Sequence, residues 1–360
     1  MVASALLLLW LAADEGAADR IEQKSRLVER MAALHVPGVS VAVVRNSKLA
    51  WAKGYGVRVA GSSDRVDVST MFQAASISKP VAAMAAMHMS QYGNFTLDEN
   101  VNTKLKSWKV PGTETVTLRG ILSHSAGLTV HGFRGYAAGE PVPTVVQILN
   151  GEPPANSKPV VVDVTPGSIW RYSGGGYTVL QELMTDRFAG SGKSFPQIMS
   201  MIVLNGLGMK NSTYEQPLPP ALHAQAAHGH DKDGREIKGG WHTYPEMAAA
   251  GLWTTPSDLA RVAIEMYKAV KGESNRILEQ KTAAQMLQVQ KGNYGLGWQV
   301  MNGGSGFVHG GSNEGFKCLL LAPGGGDAII IMTNGDQGAK LMQEIEQAAT
   351  AEYGWKVPKP

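Results

Sequence analysis

Strand-forming sequence lies at the two ends of this chain and helix-forming sequence between them, and that separation constrains the fold more than any other feature. PGVSVAVVRNSKLAWAKGYGV, from Pro37, reads as two strands turning at Asn46 and Ser47, a β-hairpin. From Tyr294 strand patterns return in YGLGWQVM, GFVHG, GFKCLLLA and DAIIIMTN, with glycine-rich turns between them. Ahead of the hairpin, Arg20 to Leu34 is predicted helical, with Ile21, Leu27, Val28, Met31 and Leu34 on one face. A helical pattern runs from Ser76 to a stop at Gly93, and further helices with long Gly/Pro-rich connections continue to about residue 290. In TTPSDLARVAIEMY, Thr255 can cap, Pro256 suits the first turn and Asp258 follows three residues after the cap. A last helix is expected from about Lys340 to Glu352.

The expected fold is therefore α/β of the α+β kind: one antiparallel sheet built from N- and C-terminal segments, flanked by terminal helices, with an inserted mainly helical lobe. The boundaries read as 1–18 for a possible leader or first apolar helix, 19–75 with 290–360 for the sheet lobe, and 76–289 for the helical lobe. Together they make one domain with a cleft between lobes. At 360 residues, 44% hydrophobic and 18% charged, the chain has the composition of a packed globular protein.

The formal charge of +3 is spread along the chain, so no basic footprint for nucleic acid or a membrane surface appears. A single cysteine, Cys318 in KCLLLA, excludes an internal disulfide and reads as a buried, inert strand residue. MVASALLLLWLAADEGAAD contains an apolar run the length of a signal-peptide core, too short to span a bilayer. Gly16 and Ala18 suit cleavage before Asp19, yet no lysine or arginine precedes the run. Either it is a leader, giving a periplasmic or secreted protein, or the chain is cytoplasmic. GSGKS at 190–194 lacks the first glycine of a phosphate loop, because Arg187 stands there. His223, His228, His230 and His242 with Asp231 show no zinc-binding spacing, and no G-x-S-x-G elbow occurs. No metal and no cofactor is expected.

FQAASISKPVAAM, from Phe72, holds the single S-x-x-K of the chain, Ser76 and Lys79. On a helix, positions i and i+3 share a face, so the Lys79 amine can lie beside the Ser76 hydroxyl and accept its proton once neutral. The apolar collar AASISKPVAAM is the kind that lowers an amine's pKa by desolvation. The bland alternative is a capping serine and a solvated lysine. PGSIWRYSGGGYTVLQEL presents Tyr172 just ahead of a helix, and GFVHGGSNEGFKC presents His309 at a strand end, followed by Gly310, Gly311 and Ser312.

With these three motifs the sequence resembles the serine β-lactamase and penicillin-binding-protein superfamily, in its class C-like branch of class C β-lactamases, D-Ala-D-Ala carboxypeptidases, D-aminopeptidases and family VIII carboxylesterases. Ser76 and Lys79 match S-x-x-K, Tyr172 matches the tyrosine of Y-x-N, and His309 with Gly311 matches the H-x-G form of K-T-G. ILSHSAGL, NFTLDENV and GLWTTPSDLAR share the texture, so the likeness runs from Val39 to Asn334. It implies a β-lactamase/transpeptidase-like fold forming one catalytic domain, and a Ser76 acyl-enzyme with Lys79 and Tyr172 sharing the proton work, one keeping the other's pKa low. It also implies an oxyanion hole from the backbone N–H groups of Ser76 and Ser312, and substrate contact along Gly174, Gly310 and Gly311. Two departures bear on substrate. Gly174 stands where the amide-binding Asn is expected, and His309, mostly neutral near pH 7, replaces a lysine. A small ester is thus the favoured partner, with a β-lactam or a D-amino-acid peptide as alternatives. A penicillin-binding sensor that acylates without turning over is a further one. His124 in ILSHSAGL is expected to be a structural hydrogen-bonder, and Trp170, Tyr177, Trp241 and Trp253 suit either the cleft or the core.

Overall fold

The computed structural model describes residues 16–357, so the N-terminal apolar run falls outside the described residues. The described residues form eight strands: β1 Gly38–Arg45, β2 Lys48–Gly56, β3 Phe72–Gln73, β4 Trp253–Thr254, β5 Gln299–Met301, β6 Gly306–Asn313, β7 Phe316–Gly324 and β8 Asp327–Thr333. Six of them make an antiparallel sheet in the order β2-β1-β8-β7-β6-β5, so the N-terminal hairpin docks directly on the last of the described strands. The hairpin turns at Asn46 and Ser47, both at positive φ, which matches the right-handed twist of the flanking strands. β3 and β4 form a separate two-stranded ribbon beside the larger sheet.

The near-continuous apolar runs of β1 and β8 follow from a sheet covered on both faces. Val39, Val41, Val43, Ile329 and Ile331 point to one core, shared with Leu27, Met31, Leu341 and Ile345 of the terminal helices. Ala42, Val44, Ile330 and Met332 point to the larger core of the helical side. At the centre of that side runs the helix Ser78–Gln91, apolar around most of its circumference, with Met84, Met87 and Met89 at most 1% exposed. Thr255 caps the helix Pro256–Val270 by accepting the Asp258 N–H at 3.2 Å, as the sequence predicts.

Three elements differ from expectation. The helix predicted from Arg20 to Leu34 is broken: one segment ends at residue 24, Arg26 takes φ +50, and a new helix runs Leu27–Ala33. The break turns the second segment so that Leu27 and Met31 stay inside while Val28 is 67% exposed. In YGLGWQVM only Gln299–Met301 forms a strand, with Tyr294 left in isolated bridges, because Gly297 at φ +93 redirects the chain and gives its N–H to the Leu122 carbonyl. The α-helix predicted from Ser76 starts at Ser78, with Ser76 held in a 3-10 turn, Ala75–Ile77. No helix among the described residues is long and apolar enough to cross a membrane.

Candidate active site

From Met71 to Met87, Ser76 is the one residue that is not fully buried. The backbone makes it so. Ala75, just before it, sits at φ +49, a left-handed conformation costing about 1–2 kcal/mol for a residue with a Cβ. Ser78 braces this turn, donating its hydroxyl to the Ala75 carbonyl at 2.5 Å and accepting the Leu252 N–H at 3.0 Å. The strained turn lifts Ser76 out of an otherwise closed core and into a cleft of about 1230 Å³.

Lys79 is 2% exposed, with its Nζ 3.1 Å from Ser76 Oγ and 2.8 Å from the Ala249 carbonyl oxygen to which it donates. Burial alone lowers its pKa to about 7. Near neutral pH the amine is therefore available in its uncharged form, within hydrogen-bond reach of the serine hydroxyl. Its Nζ lies 4.8 Å from the centre of the Tyr172 ring, and the Tyr172 side chain hydrogen-bonds Ser76. The expectation that one of this pair keeps the other's pKa low is not met, since neither group lowers the other's. Burial raises the phenol and outweighs the hydrogen bond to Ser76, so Lys79 alone is brought near neutrality.

His309 points inward from β6 and is 6% exposed. Its Nδ1 donates to the Gly310 carbonyl at 2.7 Å, leaving a lone pair on an Nε2 that is buried without a partner. Burial, reinforced by the Lys79 charge, drives its pKa down to about 3, so the ring is neutral. At Gly311 a Cβ would stand 2.3 Å from the Ala74 carbonyl oxygen, which explains the glycine by the close approach of β6 to the nucleophile's turn. Gly310 and Ser312 line the open side of the same strand. Asn313 ties that strand to the site, donating to Gln73 Oε1 at 2.8 Å and to the Ala250 carbonyl at 3.1 Å.

Gly174 does not line the cleft. It is buried in the first turn of the helix Gly174–Arg187, and a Cβ there would come 3.1 Å from both the His131 carbonyl oxygen and Phe133 Cε2. The 131–133 segment thus covers the place from which an asparagine would project, and it lines the cleft itself, with Trp170 and Tyr294.

The other expected positions separate clearly. Cys318 is 1% exposed and donates its thiol to the Gln73 carbonyl. Trp170 lines the cleft, while Tyr177 and Trp253 are core residues. His223, His228, His230 and His242 each bond a different group, namely Leu218 O, Glu236, Asn334 O and Arg134 O. Among the described residues no group of three or more metal-binding side chains converges. The Ala249 carbonyl, Gln73, Asn313, His131 and Phe133 were not indicated by sequence, since only long-range packing brings them to the serine. A further group without sequence signal is Glu246, which precedes the helix Met247–Ala250. Both its oxygens are buried without hydrogen-bond partners, and burial pushes its pKa up to about 8.

A sequence profile for the family described as Beta-lactamase matches residues 24–352. The chain is 25% identical over 352 residues to penicillin-binding protein 4 of Amycolatopsis lactamdurans, covering 90% of this chain and 88% of that one. To protein flp of Staphylococcus aureus (strain MW2) it is 23% identical over 331 residues, 83% of this chain but 60% of that protein's length. Among solved structures, the octameric penicillin-binding protein homologue from Pyrococcus abyssi superposes with a TM-score of 0.73 at 21% identity, covering 94% of this chain and 78% of that chain. EstCE1, described as a hydrolase with promiscuous acyltransferase activity, gives 0.72 at 19% identity, covering 94% and 99%. Both likenesses show the shared fold.

Proposed function

Because the chain belongs to the Beta-lactamase family, matched over residues 24–352, we propose that it is a serine hydrolase cleaving a small ester or amide through an acyl-enzyme on Ser76, with esters favoured. One observation carries this reading: a buried amine with a pKa near 7 and a phenol both engage the half-buried Ser76 hydroxyl of the turn. Ser76 Oγ attacks the carbonyl carbon while its proton passes to the neutral Lys79 amine. The oxyanion is received by the backbone N–H groups of Ser76 and Ser312, each such donor being worth about 3 kcal/mol of barrier. Collapse of the tetrahedral adduct breaks the bond to the leaving group, which takes its proton from Tyr172, and the phenol is reprotonated from Lys79. Water then repeats the sequence on the acyl-serine. The assignment of Lys79 as base and Tyr172 as proton donor is supported by burial pushing their pKa values in opposite directions.

Ester preference rests on what the cleft lacks and holds. No side-chain amide projects from Gly174 to grip a substrate acylamide, and neutral His309 offers no fixed charge to a substrate carboxylate. Phe133 and Trp170 give the wall an apolar character. A β-lactamase or D-amino-acid peptidase activity is the second reading, supported by the penicillin-binding relatives, and a slowly turning-over penicillin-binding protein is a third.

p-Nitrophenyl butyrate, nitrocefin and a D-Ala-D-Ala peptide assayed in parallel separate these readings. Fast ester turnover with negligible nitrocefin hydrolysis is expected. Preferred peptide or nitrocefin turnover moves the assignment to the second reading, and a stable penicilloyl adduct moves it to the third. Ser76→Ala should abolish labelling by a fluorophosphonate, and undiminished labelling would remove Ser76 as nucleophile.

A further inference from the structure

We propose that His124 is a positioning residue for Tyr172, fixing the phenol over Ser76 by gripping the chain on both sides of it; the inference rests on the reading that Tyr172 donates the proton. The His124 backbone carbonyl accepts the Arg171 N–H at 2.8 Å, and its Nδ1 accepts the Ser173 N–H at 3.1 Å. Between those two bonds, the imidazole stacks on the Tyr172 ring with centroids 4.2 Å apart and planes 29° from parallel. Both peptide N–H groups that flank the tyrosine thus end on a single residue, whose ring also packs against its side chain.

His124 is itself rigidly placed. It is 2% exposed, lies just beyond the helix Leu118–Leu122, and adopts φ +57, a region that histidine enters more readily than most residues. Tyr294 packs edge-on against its ring at 4.8 Å, and Tyr177 lies tilted at 5.3 Å.

The chemistry of the ring explains why a histidine stands there. A backbone N–H can only donate, so Nδ1 must carry a lone pair, and the neutral ring's proton is on Nε2. That Nε2 is buried with no partner in the protein. An asparagine could accept from Ser173 without a ring to stack, and a phenylalanine could stack without accepting. Histidine does both, leaving one donor unsatisfied.

The test is a double-mutant cycle in ester hydrolysis, with kcat and KM measured for wild type, His124→Ala, Tyr172→Phe and the double variant. His124→Ala is expected to lower kcat by about 100-fold, within the range of a lost proton-transfer group, with KM changed by less than about twofold. On the Tyr172→Phe background the same change should add less than about threefold, because the group it positions is already gone. His124→Asn and His124→Phe should each recover part of kcat, and they run the same cycle should the alanine variant not fold. Losses that multiply fully in the double variant, or a folded His124 variant with wild-type kcat, overturn the proposal. A Tyr172→Phe enzyme with wild-type kcat would instead remove the proton-donor reading itself, and the proposal with it.

Discussion

Replacing Lys79 by methionine should abolish activity and make the protein more stable, by an amount that depends on pH in a defined direction. Burial takes the amine's pKa from 10.5 to about 7, which at about 1.4 kcal/mol per pH unit amounts to roughly 5 kcal/mol of penalty on the charged form. Against this, methionine loses the bonds to Ser76 Oγ and the Ala249 carbonyl, and a buried acceptor left unpaired costs about 1–3 kcal/mol. The balance at pH 7 is a gain of about 2–4 kcal/mol for a side chain of similar length. The sign follows from the order of the two pKa values. Above pH 10.5 neither the folded nor the unfolded amine is charged and the penalty is absent. As pH falls from 10.5 to 7, the unfolded chain takes up a proton that the folded site refuses, so wild-type stability is lost. Below pH 7 both states are protonated and the loss is constant. Urea melts of wild type and Lys79→Met at pH 6, 7, 8, 9 and 10 should therefore show the variant's advantage largest at pH 6–7 and shrinking toward pH 10. A gap that does not change between pH 7 and 10 would refute the desolvated amine, and with it the argument for Lys79 as base.

Gly174→Asn should raise the amide-to-ester activity ratio only if the 131–133 segment yields to the new side chain, and an unchanged ratio in a folded variant would show that segment, not the missing amide, to set the preference. Gly311→Ala forces β6 away from Ala74, so we expect about 1–3 kcal/mol of destabilisation in a thermal melt together with slower fluorophosphonate labelling; normal labelling kinetics would contradict the close approach. Glu246→Gln should stabilise the protein relative to wild type increasingly as pH rises from 4.5 to 8. Across that window the unfolded carboxyl ionises and the buried one, raised to about 8, does not, so wild-type stability declines. Parallel melting curves at pH 5 and pH 8 for the two proteins would exclude that burial.

What could be read from sequence is what local pattern encodes. The hairpin at Asn46, the strands from Gly306 onward and the Thr255 cap carry their own turn and cap residues, and all formed as predicted. Ser76, Lys79, Tyr172 and His309 stand out in the sequence by residue type and spacing, and all four line one cleft. The break at Arg26 and the bend at Gly297 were missed because helix and strand periodicity continues across them while tertiary contacts redirect the chain. The burial of Gly174 beneath His131 and Phe133 depends on a segment more than forty residues earlier, for which no local signal exists. His124 was legible as a hydrogen-bonder, but its stacking on Tyr172 required the two loops to be seen together.

The pairing of β1 with β8 sets Val44 against Ala328, across almost the whole described chain. At synthesis rates of about 5–20 residues per second, the emerging hairpin waits roughly 15–60 s before its permanent neighbour leaves the ribosome. During that interval one rim of β1 has unmet backbone donors and acceptors, and its valines have no lid. The nascent protein should therefore depend on a holding chaperone more than its finished stability would suggest, and newly made chains should acquire protease resistance only after the last strand has been released.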